Sequence, residues 1–141
     1  MLNNELHLFV FEGSSSEPKY IDMLERNFLG KKITVKCVYD AEIYQLYRQM
    51  IADSFSLDIV NVLKERSDAN SKILEGYNRD SFAYVYLFFD YDAHSSMADD
   101  SKIEEMLNYF DNETENGLLY LSYPMLRQLG ISRIWIVLST L

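Results

Sequence analysis

Two short apolar runs in this chain each end on an acidic motif, and this constrains its fold more than any other feature. The run Leu6-His7-Leu8-Phe9-Val10-Phe11 delivers Glu12-Gly13-Ser14-Ser15-Ser16-Glu17-Pro18. The run Tyr84-Val85-Tyr86-Leu87-Phe88-Phe89 delivers Asp90-Tyr91-Asp92. As parallel strands, the two runs place their carboxyl ends at one edge of a sheet, where ligands of open α/β sheets bind. Glu12, Asp90 and Asp92 then converge. Neighbouring carboxylates repel one another unless protons or a cation intervene. A hard divalent ion, Mg²⁺ or Mn²⁺, suits an all-oxygen set of ligands.

Strand-like and helix-like segments alternate between these motifs. Residues 6–12 are short, apolar and bounded by Gly13, as a strand is. Tyr20, Ile21, Leu24 and Phe28 recur at helical spacing, so residues 17–29 are expected to form a helix. Pro18 suits its first turn, Ser16 or Glu17 its cap, and Gly30 its end. Residues 33–39 are rich in β-branched side chains and predict a second strand. Ile43, Leu46, Tyr47, Met50 and Ile51 share one face of a following helix, and a second helical piece covers about 57–66. Residues 67–81 read as a polar loop with a helical turn near Ile73 and Leu74.

Residues 82–90 predict the third strand. Ser101 and Glu104 make a capping-box pattern ahead of Ile103, Met106, Leu107 and Phe110. A polar loop at 111–117, a strand at 118–122, a short helix opened by Pro124 and a fifth strand at 131–138 complete the pattern. The alternation predicts an α/β domain over residues 1–141. Its four- to five-stranded, mainly parallel sheet should be flanked by helices on both faces. The stretch 41–80 far exceeds the dozen or so residues of an ordinary crossover. A helical insertion is expected there, offering Tyr44, Tyr47 and Tyr77 to a substrate or partner.

Composition narrows the function classes. At 141 residues, with 48% apolar and 14% aromatic residues, the chain can bury a real core. A net charge of −9 argues against a broad basic nucleic-acid face. It does not argue against a nuclease, whose metal site is itself acidic and whose bound ions supply the positive charge. The single cysteine, Cys37, lies within an apolar strand and reads as a buried, inert thiol. One cysteine supports neither an internal disulfide nor a Cys-rich zinc site. With no apolar run of membrane-spanning length and no signal-like amino terminus, a reducing, cytoplasmic setting is expected, with no membrane partner.

Glu12-Gly13-x-x-x-Glu17-Pro18-x-Tyr20, Asp90-x-Asp92 and Ser122-Tyr123-Pro124 follow one another in an order that resembles the TOPRIM fold of topoisomerases, primases and OLD-family nucleases. The likeness is greatest to the RloB-like branch and spans about residues 6–127. The resemblance implies a Rossmann-like sheet and Mg²⁺-dependent hydrolysis of DNA or RNA phosphodiesters. It also implies a role in phage defence. On the same ground, Glu12 is a metal ligand or general acid/base, Asp90 and Asp92 bind Mg²⁺, and Glu17 is a further ligand. Metal ions in such a site activate water and stabilise the in-line transition state. Gly13 leaves backbone space beside the phosphate.

Plainer readings stand beside these. Asp90 and Asp92 also suit a strand end that caps the next turn, and Glu17 suits any helix start. His94 reads as a solvated loop histidine or a proton shuttle. Ser14, Ser15 and Ser16 form a polar turn whose amides and hydroxyls suit phosphate, but no P-loop pattern is present. One position departs from the family: RloB-like sequences resemble Ser-x-Pro-x-x-Glu where this chain has Ser122-Tyr123-Pro124-Met125-Leu126-Arg127. Arg127 reverses the local charge, so a second metal site should be weakened. The run Trp135–Leu141 without a polar tail adds the expectation of a truncated or altered carboxyl end. Impaired cleavage follows, and with it the alternative of a non-catalytic TOPRIM-like module that binds a protein partner. A phosphotransfer enzyme ranks third. Its Asp-x-Asp pair belongs on a first strand, with Thr or Val where this chain has His94.

Overall fold

Leu6–Phe11 forms β1, buried from Leu8 through Phe11 and at His7 as well. Burial that does not alternate marks a strand covered on both faces. The computed structural model describes residues 6–13, 33–89 and 100–121. Within them follow β2 (Ile33–Val38), α1 (Ile43–Ala52), α2 (Ile59–Arg66), α3 (Asp68–Ile73), a 3₁₀ turn (Arg79–Ser81) and β3 (Tyr84–Phe89). Then come α4 (Asp100–Tyr109), β4 (Asp111–Asn112) and β5 (Gly117–Leu121). The described strands make one five-stranded sheet in the order β2-β1-β3-β5-β4. β1 pairs in parallel with β2 and β3, β3 pairs in parallel with β5, and only β4 runs antiparallel. This is an α/β architecture compatible with a Rossmann-like fold.

The pleat sorts the side chains onto two faces. Leu8, Val10, Cys37, Val85, Leu87, Phe89, Leu119 and Leu121 share one buried cluster with Ile43, Leu46 and Met50 of α1 and Leu63 of α2. Ile103, Met106 and Phe110 join it from α4 and just beyond its end. The strand register puts His7, Phe9, Phe11, Tyr84, Tyr86, Phe88 and Tyr120 on the other face. Their rings meet in series. Phe9 lies 5.6 Å from Phe88, and Phe88 stacks on Tyr120 at 5.5 Å.

Local chemistry sets the helix ends. Asp58 accepts hydrogen bonds from the Val60 and Asn61 amides, and Ser67 accepts one from Asn70, capping α2 and α3. α1 ends with Phe55 N–H donating to Met50 O at 2.9 Å, and both Ser54 (φ 53°) and Phe55 (φ 59°) are left-handed. Such a closure satisfies the last carbonyls of the helix.

Several expectations need correction. The stretch 67–81 is more ordered than a polar loop, because the Ser67 cap and the Asn78–Ser81 capping box each nucleate a helical turn. Within 111–117, Asp111 and Asn112 pair antiparallel with Leu118 and Gly117, so part of that loop is a strand. Tyr44 is fully buried in the core and offers nothing to a surface, while Tyr47 and Tyr77 pack partly buried against it. Ile51, assigned to the apolar face of α1, is 46% exposed. The expected helix at 17–29, the Pro124 helix and the strand at 131–138 lie outside the described residues.

Candidate functional site

The carboxyl edge of the sheet is built from the ends of β2, β1 and β3, side by side. β1 and β3 are in parallel register, with Phe11 opposite Phe88. The ladder runs one residue further: Glu12 N–H donates to Phe88 O at 3.1 Å. On the other flank, Tyr39 N–H donates to Phe11 O at 2.7 Å and Asp40 N–H to Glu12 O at 2.7 Å. Both backbone polar groups of Glu12 are therefore engaged, the amide with β3 and the carbonyl with the turn after β2. The Glu12 side chain is half-buried, as is Gly13 beside it. β3 ends at Phe89, immediately before Asp90 in the chain.

Sequence reasoning passed over two residues at this edge. Asp40 follows β2 as Glu12 follows β1, and it is exposed at φ 63°. Asp tolerates this left-handed conformation better than most residues. Its signal was available, because it too ends an apolar run. Arg66, the last residue of α2, carried no such signal, since only the fold brings it to the turn after β2. Its Nε donates to Tyr39 O and its Nη2 donates to Asp40 O at 3.3 Å. Its guanidinium lies 4.1 Å from the centre of the Tyr39 ring, a favourable cation–π geometry. On the same ring, Phe89 packs at 5.7 Å. Burial raises the Tyr39 hydroxyl pKa above its ordinary value, and the Arg66 charge and hydrogen bond oppose that rise.

Of the expected site residues, Glu12 stands at the edge just described. Glu17, Asp90 and Asp92 lie outside the described residues, as do Ser14–Ser16, His94 and Arg127. Among the described residues, no group of three or more His, Cys, Asp or Glu is placed to hold a metal ion. The four residues expected as ligands, Glu12, Asp90, Asp92 and Glu17, are all carboxylates, a chemistry that suits Mg²⁺ or Mn²⁺. Cys37 is buried, and burial pushes its thiol up to about 11, so it stays protonated at neutral pH.

No protein-family model, curated protein or solved structure matches the chain. No helix among the described residues is long and apolar enough to cross a membrane.

Proposed function

We propose that the chain is a Mg²⁺- or Mn²⁺-dependent nuclease domain of TOPRIM type, hydrolysing DNA or RNA phosphodiesters in a reducing, cytoplasmic setting. One observation carries the reading. β1 and β3 are adjacent and parallel, and the Glu12 amide is bonded to Phe88 O. The Glu-Gly motif thus leaves the sheet beside the strand that runs into Asp90-x-Asp92. This supports a common edge for the two motifs.

In this reading Glu12, Asp90 and Asp92 hold the ion, with Glu17 as a further ligand. A bound divalent ion supplies Lewis acidity and lowers the pKa of water. Glu12 holds or moves the proton of the attacking water. Gly13 leaves room for the scissile phosphate. Arg127 stays protonated at any working pH. It weakens a second ion and favours bidentate binding of a substrate phosphate over cleavage.

The test is cleavage of plasmid DNA and single-stranded RNA with Mn²⁺. The unaltered chain should cleave weakly, Asp90→Asn should abolish cleavage, and Arg127→Glu should raise it. Cleavage that survives Asp90→Asn would contradict the assignment. A chain with neither cleavage nor metal binding would favour the alternative, a non-catalytic module that binds a protein partner.

A further inference from the structure

The edge that carries Glu12 is tied together by a side chain from outside the sheet. Arg66 reaches from the end of α2 to the two carbonyls that follow β2, those of Tyr39 and Asp40. The Asp40 amide in turn holds Glu12 O at 2.7 Å, and the Glu12 amide holds Phe88 O at 3.1 Å. A second connection runs through rings. The Arg66 guanidinium lies over Tyr39, and Tyr39 packs on Phe89, the residue before Asp90. Tyr39 is buried, with 1% exposure, so this layer is fixed by packing. Arg66 itself is exposed. An exposed arginine whose donors are directed at strand-end carbonyls restrains the edge rather than the core.

We propose that Arg66 is a positioning residue for the Glu12 strand end, acting through the Tyr39–Asp40 turn. The consequence for metal binding rests on the nuclease reading above; the restraint on the strand end does not. Its planar fork serves both carbonyls and the Tyr39 face at once. Lysine supplies donors without the flat stacking surface. Residues that hold ligands from behind typically change metal affinity by about 10–100-fold when removed.

The experiment combines amide hydrogen exchange by NMR with Mn²⁺ titration on the wild type, Arg66→Ala and Arg66→Lys. In Arg66→Ala the Asp40 and Glu12 amides should exchange about tenfold faster or more, while Val10 and Leu87 in the sheet centre keep their protection. Arg66→Lys should restore part of that protection. Mn²⁺ affinity should fall by about tenfold in Arg66→Ala and recover in part with lysine. Unchanged exchange at Asp40 and Glu12 in both variants would overturn the proposal. So would a uniform acceleration over all strands, which reports global stability alone. If Arg66→Ala does not fold, the lysine variant decides by the same amides. Faster local exchange in a chain whose wild type binds no Mn²⁺ would support the restraint and defeat the metal reading. Asp90-dependent Mn²⁺ binding that is unaltered in Arg66→Ala, with Asp40 and Glu12 still protected, would do the reverse.

Discussion

Gly117 opens β5 at φ 126°, a backbone conformation that L side chains rarely adopt. An added Cβ there would sit 2.6 Å from Leu87 Cδ1 and 3.2 Å from Val85 Cγ1. Both obstacles belong to β3, whose carboxyl end leads toward the site. Gly117→Ala should therefore destabilise the fold by about 1–3 kcal/mol, the range for overpacking, with backbone strain in addition. Urea denaturation measures it. Two groups with raised pKa, the buried Cys37 and the half-buried Tyr86, make stability fall at alkaline pH. Burial raises Cys37 from its ordinary 9.0 to about 11. Burial, and then the nearby Glu113, Tyr120 and Tyr84, raises Tyr86 from 10.0 to about 12. Each holds its proton more tightly folded than unfolded, so each contributes stability below its unfolded pKa and loses it as pH rises. Stability should be insensitive to these groups below about pH 9, then fall as Cys37 and next Tyr86 ionise in the unfolded chain. Urea midpoints measured from about pH 8 to 10.5 test this, and Cys37→Ala should remove the part that begins near pH 9.

At the scale of elements, β2 stands at the edge of the described sheet, and Asn70 of α3 bonds its backbone as a neighbouring strand would. Its Nδ2 donates to Val38 O at 2.8 Å, and its Oδ1 accepts from Val38 N–H at 3.4 Å. Asn70 is buried, so removing its amide would strip Val38 of both bonds. Asn70→Ala should cost about 1–3 kcal/mol, and urea denaturation should show it. This contact also explains what was legible in the sequence and what was not. β1 and β3 stood out because both their faces are apolar, and α1 and α2 because one face of each is. Large apolar cues around α3 were limited to Ile73 and, just past its end, Leu74. The helix is held by the Ser67 cap and by Asn70 against β2, neither of which leaves a periodic signal. β4 is two residues long and exists through its pairing with β5. Tyr44 looked like a surface aromatic because a tyrosine has a polar end, yet it packs in the core. At the candidate site, Glu12 was legible from the run it terminates. Arg66 was not, because its partners lie more than twenty residues away in the chain.

For the whole molecule, a net charge of −9 opposes contact with a polyanion. Nucleic acid as substrate therefore requires that positive charge be supplied locally, which bound divalent ions do. The parallel arrangement of β2, β1 and β3 delivers Asp40, Glu12 and the residue before Asp90 to one edge. The account stands on that edge being a metal site. Calorimetric titration of Mg²⁺ and Mn²⁺ into the intact chain, Glu12→Gln and Asp90→Asn tests it most directly. The account predicts that the intact chain binds at least one ion and that each substitution weakens binding by about tenfold or more. An intact chain that binds neither ion, or one whose binding is untouched by both substitutions, would contradict it.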